Sequence, residues 1–257
     1  MAENPLLPSA ELRSLYALLQ EAESLSALPA APGFSPGPKR RTAPSAGTGG
    51  RSALLSGTLL QLSPGDVLVA EPGDEMPSTL LRSRPSKPKQ GSPAAPNFSG
   101  SDSSLLFATG LAAASKRAGS DRLVLTFVRA GATTPHWREA LKWAQTDQLP
   151  LIVACADPSG GAAFCSTPQQ EPDTLTWTAV GKATAKLKLP ILSVDGEDAV
   201  AVYRVMQESV LRARSGNGPA ILWAMLPTTQ ELRRSRAAEV TPLGRLQHFL
   251  RTRRIRP

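Results

Sequence analysis

Residues 123–157, LVLTFVRAGATTPHWREALKWAQTDQLPLIVACAD, decide the fold. Nearly unbroken apolar runs at 123–128 and 151–154 predict two strands. Between them, helical spacing predicts a helix that places Pro135 at its first position behind Thr134, runs to about Gln148, and has Trp137, Ala140, Leu141 and Ala144 on one face. Strands that are apolar throughout and separated by a helix indicate a parallel sheet covered on both faces.

The same alternation continues on either side of this stretch. Strands are predicted at 67–70, 190–194 and 220–226, and helices at 9–28, 52–62, 104–116, 174–187 and 197–214. Gly119 and the Gly216-Asn217-Gly218 turn end two of the helices. The predicted fold class is therefore α/β, a parallel sheet with helices on both faces.

Three segments are predicted along the chain. Residues 1–50 are an N-terminal helix and a Pro/Gly-rich arm, 51–228 an α/β domain, and 229–257 an Arg-rich C-terminal tail. Loose loops are expected at 29–50, around the basic triplet Lys39 to Arg41, and at 83–102.

Charge and hydropathy exclude some classes of protein. The 257 residues carry a net charge of +8, and no apolar run reaches the roughly 20 residues of a membrane span. Because the first residues include Glu3 and no basic residue ahead of an apolar run, no leader is expected and a cytoplasmic location is predicted. Residues 233–257 hold eight arginines and Glu239 as the only acid. Without aromatic interleaving beyond Phe249, we interpret this tail as solvated or paired with an acidic partner subunit rather than bound to nucleic acid.

Few residues suit metal or nucleophilic chemistry. Cys155 and Cys165 are interpreted as free thiols, since two cysteines make neither a disulfide framework nor a four-ligand zinc site. His136 and His248 are the only histidines, which disfavours a Ser-His-Asp triad or a His-rich metal site. His136 is either an acid or base or, in the plainer interpretation, an exposed helix residue.

Ligands of such folds lie beyond the carboxyl ends of the strands. The segments to inspect are therefore 128–134, 155–161 and 194–198, where Asp195 or Asp198 is expected to cap the next helix.

The order of several segments resembles a known family. They are Leu106-Phe107-Ala108-Thr109-Gly110-Leu111, Gly131-Ala132-Thr133, Arg138-Glu139-Ala140-Leu141, Leu149-Pro150-Leu151, Val194-Asp195-Gly196-Glu197-Asp198, Ser215-Gly216-Asn217-Gly218-Pro219-Ala220 and Pro242-Leu243-Gly244-Arg245-Leu246. In this order they resemble the thiamine-diphosphate-binding alpha subunit of 2-oxo acid dehydrogenases. The resemblance implies a thiamine-diphosphate-binding fold, oxidative decarboxylation of a 2-oxo acid with acyl transfer to lipoamide, and a beta-type partner subunit in a hetero-oligomer.

The resemblance also implies thiamine diphosphate and Mg²⁺ as cofactors. In that family a Gly-Asp-Gly after one strand and an Asn after the next hold the Mg²⁺ that grips the diphosphate. Here the first motif reads Val128-Arg129-Ala130-Gly131, so Arg129 or Ala130, depending on a one-residue gap, replaces the acid. Asp157 lies near the expected Asn. The candidate cofactor-binding residues are thus Arg129, Gly131 and Asp157, with Asp157 as the candidate metal ligand.

Three alternatives follow for Arg129. In the first, Arg129 opposes metal binding, since a guanidinium about 5 Å from Mg²⁺ repels it by roughly 6 to 7 kcal/mol at an effective dielectric constant of about 20. In the second, Arg129 replaces the metal by contacting diphosphate directly. In the third, Arg129 turns outward and pairs with an acidic neighbour.

Other parts of the family pattern are absent too. The Tyr-Arg and Arg-Asp-His neighbourhood is replaced by Glu71-Pro72-Gly73-Asp74-Glu75, and residues 227–240 lack the usual histidine-containing loop. The sequence predicts a dehydrogenase alpha subunit impaired in its metal and diphosphate site. The alternative is a noncatalytic structural or regulatory subunit that pairs with a beta-like chain.

Overall fold

The computed structural model describes residues 7–27, 51–71, 74–84, 104–158, 173–227 and 241–256. The predicted loops at 29–50 and 83–102 lie almost wholly outside these residues, as does Cys165.

Eight helices and five strands are found in the described residues. The helices are α1 (Ser9–Ala27), α2 (Ser52–Leu59), α3 (Met76–Ser83), α4 (Ser104–Arg117), α5 (Trp137–Thr146), α6 (Trp177–Leu187), α7 (Ala199–Arg214) and α8 (Pro242–Thr252). The strands are β1 (Val67–Val69), β2 (Val124–Arg129), β3 (Leu151–Asp157), β4 (Ile191–Asp195) and β5 (Ala220–Met225).

The strands form one parallel sheet in the order β1-β2-β3-β5-β4. Alternate side chains point to opposite faces and build two cores. The first core lies between the sheet and α1, α2, α3 and α7, and includes Phe127 and Ala156. The second core lies between the sheet and α4, α5 and α6, and includes Ala130 and Trp223. The predicted α/β class, with a parallel sheet covered on both faces, is confirmed.

The terminal helices pack onto the α/β layer. Leu12, Leu15 and Leu19 of α1 are fully buried with Leu246 and Leu250 of α8. Burying such a side chain is worth about 1.5 to 3 kcal/mol. The described helices of the two outer predicted segments therefore pack directly on the middle segment.

Some predicted boundaries were wrong. The helix predicted from Pro135 begins at Trp137, because the backbone of 133–134 bonds to 173–174 instead of opening a helical turn. β3 extends past Ala154 to Asp157, since β2 and β5 pair with it on both sides. Helix α3 was not predicted.

Candidate functional site

The carboxyl ends of β1, β2 and β3 place three segments side by side at one edge of the sheet. Glu71 follows β1, Arg129 is the last residue of β2, and Asp157 is the last residue of β3. Because parallel neighbours end at the same edge, this is where the fold would accept a ligand. All three candidate residues, Arg129, Gly131 and Asp157, belong to this edge.

The turn between β2 and α5 has its backbone donors engaged. The N–H groups of Ala130, Gly131 and Thr134 donate to the carbonyls of Ala156 (2.9 Å), Leu175 (2.8 Å) and Asp173 (2.8 Å), respectively. Leu175 donates back to the carbonyl of Ala132 at 3.1 Å, and a bridge joins Thr133 to Thr174. The segment before α6 therefore lies along the turn and uses the amides of Gly131 and Thr134, while β3 uses that of Ala130, so three amide groups that a phosphate would need are engaged.

The backbone conformation at position 131 favours glycine. Its φ is +78°, a left-handed conformation that side chains with a Cβ rarely adopt. Its N–H bonds to Leu175. In this arrangement Gly131 shapes the turn.

The pleating of the sheet directs the side chains of Arg129 and Asp157 to opposite faces. Arg129 pairs in register with Ala156, which lies in the first core. Asp157 is one residue further along β3 and bonds to Trp223 of the second core. Since successive strand residues point to opposite faces, the two side chains leave the sheet in opposite directions.

Ala130 shares the face of Asp157. It belongs to the second core and is 8% exposed. On the face of the sheet where Asp157 bonds to Trp223, the turn after β2 therefore offers the methyl group of Ala130 and no carboxylate. No carboxylate occurs anywhere in residues 128–134.

Asp157 is fully buried at 0% exposure. Its Oδ2 accepts a hydrogen bond of 3.0 Å from Nε1 of Trp223. The Trp223 ring packs edge-on against that of Trp177, with 5.4 Å between centroids. The indole N–H of Trp223 therefore occupies an oxygen of Asp157 that would face the ion in a metal site.

Arg129 lies on an exposed rim among other charges. Burial raises the pKa of Glu71 above its usual value, while the charges of Arg129 and Arg51, and a hydrogen bond from the backbone N–H of Arg129, lower it. Asp74, which pairs with Arg51 at 2.8 Å, raises it. No ion pair joins Arg129 to an acid among the described residues, so the third alternative stays a prediction, with Glu71 as the candidate acidic neighbour. Sequence reasoning missed Glu71 as that neighbour, although its position directly after β1 was the available signal.

Cys155 is inaccessible inside β3. It is fully buried, and burial raises the pKa of its thiol well above the usual value, with the charges of Asp157 and Glu71 acting in the same direction. The thiol stays protonated and unreactive near neutral pH.

Other residues singled out in the sequence have local structural roles. Asp198 caps α7, its Oδ1 accepting from the N–H groups of Val200 and Ala201 at 3.0 Å each. Asp195 accepts from the N–H of Glu197 at 2.9 Å and so shapes the turn. His136 is exposed, with a left-handed φ of 58° ahead of α5.

The described residues do not fit a magnesium diphosphate. Mg²⁺ needs several hard oxygen ligands in near-octahedral order, yet among the residues of β2, β3 and the described turn at 130–134 the one acid is Asp157, which accepts from Trp223. Within the described ranges, no group of three or more His, Cys, Asp or Glu residues could hold a metal ion.

Comparison with known proteins gives the family. The family model described as the dehydrogenase E1 component matches residues 94–226, more than half of the chain. This chain belongs to the dehydrogenase E1 component family. The family inferred from the segment order is thereby confirmed.

Relatives of this E1 chain include alpha subunits of two dehydrogenases. The 3-methyl-2-oxobutanoate dehydrogenase subunit alpha of Mycobacterium tuberculosis (strain CDC 1551 / Oshkosh) is 30% identical over 121 residues, covering 47% of this chain and 32% of that protein. The pyruvate dehydrogenase E1 component subunit alpha of Staphylococcus aureus (strain Mu50 / ATCC 700699) is 27% identical over 119 residues, covering 46% and 31%. The chain thus spans about a third of the length of these relatives.

A solved structure similar to this E1 chain is benzoylformate decarboxylase from Polynucleobacter necessarius. It is 17% identical, covers 78% of this chain and 36% of that one, and has a TM-score of 0.46. Within the described residues, none of the helices of the E1 chain is long and apolar enough to cross a membrane.

Proposed function

We propose that this chain is a noncatalytic member of the E1 family, a subunit that keeps the alpha-type fold and associates with a beta-type chain. The observation that carries the proposal is the engaged turn after β2. Its N–H groups at Ala130, Gly131 and Thr134 already donate to backbone carbonyls. A diphosphate would have to displace the segment that contains Asp173 and Leu175 before the amides of Gly131 and Thr134 could bind it, and the amide of Ala130 would still be bonded to Ala156 of β3.

The side chains support the same proposal. Ala130 supplies no oxygen on the face where Asp157 lies, and Asp157 accepts from Trp223. Arg129 leaves the sheet on the other face and sits near Glu71. Direct capture of diphosphate by Arg129 together with Asp157 would need one strand to shift register by a residue, which reverses its faces.

The second candidate is a working alpha subunit that binds thiamine diphosphate and Mg²⁺ and oxidatively decarboxylates a 2-oxo acid. The family match and the names of the two relatives favour it. The proposed setting in either case is a cytoplasmic hetero-oligomer with a beta-type subunit. The three-segment organisation at 1–50, 51–228 and 229–257 is part of the proposal.

A co-expression experiment separates the two candidates. The full chain is produced with a beta-type dehydrogenase subunit and the complex is sized by light scattering after gel filtration. Turnover is then assayed with pyruvate and with 3-methyl-2-oxobutanoate in the presence of thiamine diphosphate and Mg²⁺. The Mycobacterium tuberculosis alpha subunit with its own beta subunit is the positive control.

We expect a stable complex without turnover. Turnover that requires thiamine diphosphate would contradict the proposal and favour the second candidate. Failure to form any complex would remove the proposed role as a partner subunit.

A further inference from the structure

A groove separates the start of α7 from α8, on the first-core side of the sheet and away from the β2–β3 edge. Its volume is about 740 Å³. Val200, Leu246 and Phe249 provide apolar surface in it. Phe249 is only half-buried although it packs against the cluster that joins α1 and α8.

The arginines that line the groove differ in charge balance. Arg245 is neutralised by Asp195 at 2.7 Å and Glu197 at 3.4 Å. Arg204 on α7 and Arg253 after α8 are exposed, and neither forms an ion pair with the described residues. Arg253 stacks over the Phe249 ring, 4.8 Å from its centroid. This stacking holds a positive charge directly beside apolar surface.

The surrounding sequence adds to this positive charge. Residues 241–256 contain five arginines and no acidic residue. The groove therefore combines an apolar floor with a rim on which Arg204 and Arg253 outnumber the one acid of the described lining, Asp198, whose Oδ1 caps α7.

We propose that this groove docks an acidic amphipathic helix of a partner protein. Such a helix presents apolar residues at i, i+3, i+4 and i+7 to the floor and carboxylates to Arg204 and Arg253. A nucleic acid would match the rim but would leave Val200 and Phe249 against a polar backbone. A second copy of this surface would bring arginines against arginines. The inference does not depend on whether the chain binds a cofactor.

The test measures binding of a synthetic peptide to the full chain. The probe is a fluorescent helical peptide of about 15 residues with leucines at the helical spacing and glutamates elsewhere. Two control peptides replace either all glutamates by glutamine or all leucines by serine. Amide hydrogen exchange of the complex locates the peptide.

Matched variants separate this surface from general electrostatics. The test variant is Arg204→Gln with Arg253→Gln. The control, Lys182→Gln with Lys186→Gln, removes the same charge from exposed positions of α6 on the other side of the sheet. We expect saturable binding of the acidic peptide, protection in α7 and α8, and affinity about tenfold weaker for the arginine variant only. Both control peptides should bind more weakly than the probe.

Four results would overturn the proposal. The first is no saturable binding of the peptide. The second is an equal loss of affinity in the arginine and lysine variants. The third is tighter binding of a DNA duplex that the arginine variant abolishes, which would assign the surface to nucleic acid. The fourth is a dimer, seen by sedimentation, that the arginine variant abolishes, which would assign it to a second copy.

Discussion

At the residue scale, the predicted metal ligand Asp157 is held inside the chain by Trp223. The carboxylate has no exposed surface and accepts from an indole N–H at 3.0 Å. Losing that donor leaves a buried acceptor with one partner fewer, which costs about 1 to 3 kcal/mol.

Trp223→Phe should therefore lower the free energy of unfolding by about 1 to 3 kcal/mol, since phenylalanine keeps a ring against Trp177 but donates nothing. Urea unfolding followed by circular dichroism measures the change. The control is Trp143→Phe, whose Nε1 donates to Asp147 at 2.8 Å on the exposed surface. A change within about 0.5 kcal/mol is expected there. Equal effects for both variants would contradict the argument.

Glu71 provides a second residue-scale prediction. Its pKa should lie above the usual 4.5 because burial outweighs the opposing charges of Arg129 and Arg51. Arg129→Gln should raise this pKa further by removing one of the charges that lower it. NMR titration of the side-chain carboxyl gives the value directly. A Glu71 pKa that does not respond to Arg129→Gln would place the two groups too far apart for this charge interaction.

The raised pKa also fixes a pH dependence. Glu71 holds its proton more tightly in the folded chain than in the unfolded chain, so its contribution to stability is present below pH 4.5 and is lost as pH rises through the folded pKa. Glu71→Gln should remove this part of the slope. The exposed Glu75→Gln is the control.

At the element scale, α2 and α7 approach so closely that only glycine fits between them. A Cβ at Gly57 would lie 2.7 Å from Cγ1 of Val202 and 3.0 Å from the backbone N of Tyr203. Gly57→Ala should destabilise the fold by about 1 to 3 kcal/mol despite alanine's better helix propensity.

Gly110→Ala in α4 is the matched control for that variant. A Cβ there meets nothing within 4 Å, so the gain in helix propensity should stabilise the chain by about 0.5 to 1 kcal/mol. Urea unfolding of both variants tests the pair. Stabilisation by Gly57→Ala would mean that α2 and α7 are further apart than described.

Sequence reasoning predicted elements with a strong period and missed those set by tertiary contacts. The apolar runs of β2, β3 and β5 and the spacing in α7 gave the parallel sheet. The start of α5 could not be read, because Thr134 is bonded to Asp173, 39 residues later in the sequence. The face of the sheet on which Arg129 lies could not be predicted either, since a one-residue change in alignment moves a side chain to the other side of a sheet.

At the scale of the whole molecule, the first and the last described helices pack together. Leu250 of α8 is buried with Leu12 and Leu15 of α1, and Leu243 donates to Glu23 at 3.0 Å. Leu250→Ala should lower the free energy of unfolding by about 2 to 5 kcal/mol. Thermal and urea unfolding measure it, with the exposed Arg251→Ala as the control. No effect of Leu250→Ala would show that residues 229–257 behave as a separate tail.

For the whole chain, we propose that the β2–β3 edge does not anchor a magnesium diphosphate. Calorimetric titration of the full chain with thiamine diphosphate tests this most directly, with and without Mg²⁺, alone and in complex with a beta-type subunit. We predict no saturable heat that depends on Mg²⁺. Saturable, Mg²⁺-dependent binding that chelation abolishes and Asp157→Ala removes would contradict it.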